Sequence, residues 1–137
     1  MNVTTQNVRL PARYQKVLNI CPALNNTFVF FGIRGFREDC LTHFDAEGKL
    51  IDEIIFEHNM DSFGMLSDRE VLVLETRKGC ISLWNLETHK FHHIPFKFLN
   101  EEVDQSAIYI FPDTRMFCVQ ENGRYNDDSF RLSYFRQ

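Results

Sequence analysis

The sequence predicts an all-β chain built from about three tandem units, each of four antiparallel strands. Three observations carry this expectation. Aromatic residues are abundant, with 14 Phe beside four Tyr and one Trp, and aromatic and β-branched side chains favour strands. Short apolar runs alternate with turn-forming pairs along most of the chain. A pattern of apolar residue, polar turn and apolar strand also recurs at a spacing near 42 residues.

Taken in order, the strand-like runs fall at residues 27–33, 50–56, 71–75, 80–84, 91–96, 107–111, 116–120 and 130–135. Asn25-Asn26, Ser67-Asp68 and Pro112-Asp113 separate them as tight-turn pairs. Asn and Asp side chains bond to their own backbone there, and Pro presets φ. Asp45-Ala46-Glu47-Gly48 reads as a hairpin loop. Helix-like periodicity is confined to two short segments, 13–20 and 97–106.

The repeat is visible residue by residue. Leu24-Asn25-Asn26-Thr27 leads into Phe28-Val29-Phe30-Phe31. The same pattern returns at Leu66, 42 residues later, leading into Val71-Leu72-Val73-Leu74. It returns again at Phe111, leading into Met116-Phe117-Cys118-Val119. Cys40-Leu41-Thr42-His43-Phe44-Asp45 matches Cys80-Ile81-Ser82-Leu83-Trp84-Asn85 at a spacing of 40, and 130–135 is the third copy. A fourth strand follows the first two copies, but the third stops before one. The units fall at 17–58, 59–99 and 105–137 of a single repeat domain, after an N-terminal segment 1–16.

Four strands joined by short loops, with an aromatic closing the third, resemble a β-propeller blade. The chain is similar to WD-repeat-like propellers. Trp84-Asn85 stands where that family has Trp-Asp, and Phe44-Asp45 echoes it. The run Leu83-Trp84-Asn85-Leu86-Glu87-Thr88, followed by Ile94-Pro95, resembles a local pattern of F-box-associated domains. The resemblance implies an incomplete propeller acting as a non-enzymatic protein–protein interaction or scaffolding module. The competing fold is a closed calycin-type β-barrel carrying a small hydrophobic ligand, which gives no reason for the period. Three blades are fewer than the roughly four to eight usual in propellers. The expectation is therefore self-association or membership of a longer chain, with residues 5–10 pairing beside 130–135 as another remedy.

Charge and cysteine usage narrow the classes. A net charge of −4 argues against a nucleic-acid binder, which shows a basic footprint. No apolar run is long enough to span a membrane, and residues 1–10 have no apolar signal core. Cys21, Cys40, Cys80 and Cys118 form no C-x-x-C pair and each lies in an apolar stretch. Reduced cysteines and a cytoplasmic location are expected.

No residue set reads as catalytic, and no cofactor is expected. His89-x-x-His92-His93 is the only metal-like cluster in the sequence. On a strand, His92 and His93 point to opposite faces, so no metal site is assigned. Cys40 and Cys80, at equivalent positions, read as core packing, as does Trp84. The acidic pairs 38–39, 52–53, 101–102 and 127–128 read as solvated, because adjacent strand residues do not converge. Gly32-Ile33-Arg34-Gly35 reads as a turn. Phe28, Phe30, Val71, Val73, Ile81, Leu83, Met116 and Cys118 are expected in the core.

The candidate binding surface is one rim of loops, at 34–39, 75–79, 121–129, 57–61 and 97–106. These loops sum to −5 against −4 for the whole chain. Phe36, Phe98, Glu101, Glu102, Asp104 and Tyr125 are its binding residues, and a basic protein partner is expected.

Overall fold

The computed structural model describes residues 2–5, 7, 14–35, 38–57, 60–75, 78–97, 103–111, 113–123 and 129–134. Eleven strands account for most of them: β1 Tyr14–Ala23, β2 Thr27–Arg34, β3 Glu38–Phe44, β4 Leu50–Ile55, β5 Ser62–Met65, β6 Glu70–Glu75, β7 Cys80–Asn85, β8 Phe91–Pro95, β9 Val103–Phe111, β10 Met116–Gly123 and β11 Ser129–Tyr134. They form three antiparallel sheets, β1-β2-β3-β4, β5-β6-β7-β8 and β11-β10-β9. Each is a meander in which chain neighbours pair. The all-β expectation holds, and no α-helix occurs among the described residues. The alternative of a closed barrel does not: each sheet is open, with two outer strands. Among the described residues no helix is long and apolar enough to cross a membrane, and none of the four cysteines forms a disulfide.

The described part of the first helix-like segment, and the end of the second, are corrected to strand. Residues 14–20 belong to β1, which pairs with β2 from Tyr14↔Arg34 to Ala23↔Thr27. Central strand β2 needs a backbone partner on each side, and that demand overrides a weak local helical pattern. Residues 103–106 of the second segment begin β9. The pairing expected between 5–10 and 130–135 falls largely outside the described residues.

The chain divides into two compact units, Met1–Glu57 and His58–Gln137. Unit 1 holds the first sheet. On one face Phe30 and Phe44 stack with centroids 4.9 Å apart, Phe28 stacks on Phe44 at 5.8 Å, and Tyr14 meets Phe30 edge-on at 5.1 Å. Such pairs add about 0.5–1.5 kcal/mol each beyond area burial. Two of the expected turns are seen, whereas Gly32-Ile33-Arg34, expected in a turn, belongs to β2 and only Gly35 lies in the turn that follows. Asn25 and Asn26 take positive φ, and Asp45 Oδ1 accepts the Glu47 and Lys49 N–H groups to close the β3–β4 hairpin.

Unit 2 packs the second sheet against the third. Leu72, Leu74 and Ile81 from one and Ile108, Phe117 and Val119 from the other form a single buried core, flanked by Leu83, Phe96 and Ile110. A Cβ on Gly64 would stand 2.8 Å from Ile110 Cδ1, so glycine there lets the sheets close. The Ile108 N–H donates to Ser62 Oγ at 3.1 Å, and the Arg115 guanidinium donates to both oxygens of Glu70.

Of the eight expected core residues, Phe30, Val71, Val73 and Ile81 are buried. Phe28, Leu83, Met116 and Cys118 are half-buried. On β10 the inward face belongs to Phe117 and Val119, one residue out of phase with the expectation. A near-continuous apolar run hides which parity faces the core, because side chains alternate strictly along a strand.

Candidate functional site

The first turn of the β6–β7 hairpin carries an unusual combination of side chains. Glu75 ends β6 and Cys80 begins β7, so the pair lies directly opposite in register. Ser82, two residues along β7, shares the Cys80 face and is paired across β8 with His93. Alternation therefore brings Glu75, Cys80, Ser82 and His93 to one face of the second sheet. Gly79, at φ +64, makes the turn possible.

The geometry is close and mutual. Cys80 Sγ lies 3.8 Å from Glu75 Oε2 and 3.7 Å from His93 Nδ1. His93 Nδ1 lies 3.8 Å from the same carboxylate oxygen. Ser82 Oγ donates to Glu75 Oε2 at 3.1 Å and bonds His93 Nδ1 at 2.7 Å. Lys78 Nζ stands 3.6 Å from Glu75 Oε1. Phe91 meets the His93 ring edge-on at 5.0 Å. Glu75 is only 3% exposed while His93 is 51% exposed, so the cluster runs from the interior to solvent. Glu75 Oε1 has no hydrogen-bond partner among the described residues. Burial pushes the Cys80 thiol pKa up, with the Glu75 charge adding to it, while the Ser82 hydrogen bond and Lys78 act in the opposite sense.

The first sheet holds the matching positions with different chemistry. Cys40 and Thr42 stand where Cys80 and Ser82 do, and Thr42 pairs across to Glu53 as Ser82 pairs to His93. There the polar groups are closed on one another. Arg34 Nη1 donates to Glu53 Oε1 at 2.6 Å. Thr42 donates to Glu53 Oε2 at 3.2 Å, and the Tyr14 hydroxyl donates to that oxygen too. Cys40 Sγ donates to the Gly32 carbonyl at 3.5 Å. Cys40 and Cys80 are buried, as the core reading expected.

The sequence-derived rim is placed only in part. Phe36, Phe98, Glu101, Glu102 and Tyr125 lie outside the described residues, as does the side chain of Asp104 in β9. Two acids counted on that rim are not surface groups: Glu75 and Glu121 are buried at the ends of β6 and within β10. A carboxylate at a strand end followed by a tight hairpin continues the pleat inward, which composition cannot show. Arg34, another loop charge, is engaged with Glu53. Strand alternation sets His92 and His93 on opposite faces, and His93 meets Cys80 and Glu75 across the sheet, a grouping that strand-pairing arithmetic could have revealed. No protein-family model matches the chain, and no curated protein matches it.

Proposed function

We propose that this chain is a non-enzymatic protein–protein interaction module of propeller-like type that associates through the outer strands of its sheets, with a second copy of itself as the partner. The observation that carries the reading is where exposed apolar side chains fall. Among the described strand residues the exposed large apolar ones are Val17, Leu18 and Ile20 on β1, Leu50, Ile51 and Ile55 on β4, and Tyr109 and Phe111 on β9. All three are outer strands, and the central strands β2, β3, β6, β7 and β10 contribute none. An outer strand also presents unpaired backbone donors and acceptors, a ready template for another strand.

Further support comes from the meanders. Two sheets of four strands and one of three follow each other in chain order, with the internal period near 40 residues noted above. The WD-repeat-like and F-box-associated resemblances point the same way. Three blade-like sheets leave a propeller open, and a second copy supplies matching surfaces to cover it.

Light scattering on the purified chain at high micromolar concentration tests the reading. Wild type is expected to associate, and Ile20→Lys, which places a charge on the most exposed apolar position of β1, is expected to shift it toward monomer with an unchanged far-UV spectrum. A strictly monomeric wild type overturns the proposal.

A further inference from the structure

We infer that Glu75, Cys80 and His93 form a binding site for a divalent transition-metal ion, with zinc as the chemical class of best fit. The inference is independent of the interaction module proposed above. It rests on three donor atoms of three kinds, drawn from three adjacent strands and converging on one point.

Glu75 Oε2, Cys80 Sγ and His93 Nδ1 stand 3.7–3.8 Å from one another. The nearest point equidistant from all three lies in their plane about 2.2 Å from each, and a tetrahedral ion just off that plane would stand about 2.3 Å away, against roughly 2.0–2.3 Å for zinc bonds to oxygen, nitrogen and sulfur. Sulfur, imidazole nitrogen and carboxylate together suit zinc rather than magnesium or calcium, which take oxygen donors. Three protein donors leave a fourth tetrahedral position, and half-exposed His93 gives the site a route to solvent.

A second observation points to a cation. The Glu75 carboxylate is almost wholly buried, and its Oε1 has no hydrogen-bond partner among the described residues. Burying a carboxylate is costly unless charge compensates it. Lys78, at 3.6 Å and one-third exposed, offers partial compensation and is long enough to swing to solvent. In the first sheet the acid is Glu53, at the position of His93, and Arg34 compensates it by direct contact. The second sheet keeps the thiol, with Cys80 for Cys40, but has an imidazole where Glu53 stands and a carboxylate opposite the thiol where the first sheet has Gly32.

Ser82 defines the metal-free arrangement. Its hydroxyl donates to Glu75 Oε2 and so accepts from His93 Nδ1–H. Rotation about its Cα–Cβ bond releases both, and the ring proton then sits on Nε2, leaving the Nδ1 lone pair for the ion. Binding forms a metal–sulfur bond and breaks the Cys80 S–H bond, the proton passing to solvent. The Phe91 ring limits how far the imidazole can turn away.

Titration of the full chain with Co2+ tests the site, because a cobalt–thiolate bond gives a charge-transfer absorption. One equivalent should saturate that band, and Zn2+ should abolish it by displacement. Cys80→Ser should remove the band, and Cys40→Ser, at the matching position of the first sheet, should leave it intact. His93→Ala alters a half-exposed side chain and keeps the test decisive if the cysteine variant fails to fold. It should weaken Co2+ binding by more than the roughly 10–100-fold that loss of an outer-shell partner costs. Absence of a saturable band in wild type, a band that survives Cys80→Ser, or unchanged affinity in His93→Ala overturns the inference.

Discussion

Single side chains that bridge the two sheets of unit 2 set its response to acid. Arg115, in the turn before β10, donates to both Glu70 oxygens at 3.0 and 3.3 Å. That hydrogen bonding holds the Glu70 carboxyl below its ordinary pKa, with burial acting in the opposite sense and Ser67 assisting. The carboxyl is therefore more acidic in the folded than in the unfolded chain. The pair contributes its stability above the unfolded value, about 4.3, and loses it as pH falls through the lowered folded value. Arg115→Met should cost about 0.5–1 kcal/mol at neutral pH, as partly exposed pairs do. The difference from wild type should shrink as unfolding is measured at progressively lower pH. A difference that stays constant into strong acid would show that Glu70 is not the partner that matters.

Strands, in turn, are limited by how closely their backbones approach. β1 is irregular between Tyr14 and Lys16 and again between Val17 and Asn19. That irregularity carries the Lys16 carbonyl to 2.7 Å from where a Cβ on Gly32 would stand. The corresponding obstacle at Gly64 is the Ile110 Cδ1 methyl, which can move. Gly32→Ala should therefore cost more than Gly64→Ala in denaturant unfolding, with Gly32→Ala at about 1–3 kcal/mol. Equal costs would mean that β1 yields as easily as a side chain. The same strand shows what the sequence could and could not convey. The run Phe28-Val29-Phe30-Phe31 with its Asn25-Asn26 turn was legible because composition and turn chemistry agree. The spacing of Val17, Leu18 and Ile20 is helix-like in the sequence, because their outward exposure and their pairing to β2 are properties of the sheet. In β10 the strand itself was legible and its parity was not. Likewise Cys80 and His93 were each visible, while their meeting with Glu75 depends on two registers taken together.

For the whole molecule, two kinds of surface compete as the route to a partner, and salt distinguishes them. Apolar outer strands bind by removing surface from water, and excluded salts strengthen that effect. An acidic rim steers a basic partner through exposed charge, which is screened over about 8–10 Å near physiological ionic strength. Burial of Glu75 and Glu121 leaves the rim less acidic than the linear count suggests. Self-association should thus persist or strengthen on adding sodium sulfate, and reversing Glu101 and Glu102 to Lys should leave it unchanged. Loss of the assembly in salt, or on that reversal, would transfer the binding role to the loops. The rim was the least legible part of the chain, because a net charge read along a loop does not reveal which carboxylates the pleat turns inward.

Trp84 gives the chain its own optical probe. It is the sole tryptophan, it lies on β7 with no exposed surface, and it stands opposite Phe91 in the register of β7 and β8. Its emission should be that of an indole shielded from water, and should move to longer wavelength when β6, β7 and β8 separate. Far-UV dichroism sums over all three sheets, whereas this fluorescence originates in unit 2 alone. A thiolate-bound cobalt ion at Cys80, on the same strand and face, would also absorb in the region where that indole emits. One residue buried for packing thus lets unfolding of the second unit, and occupancy of the site beside it, be followed without attaching a dye.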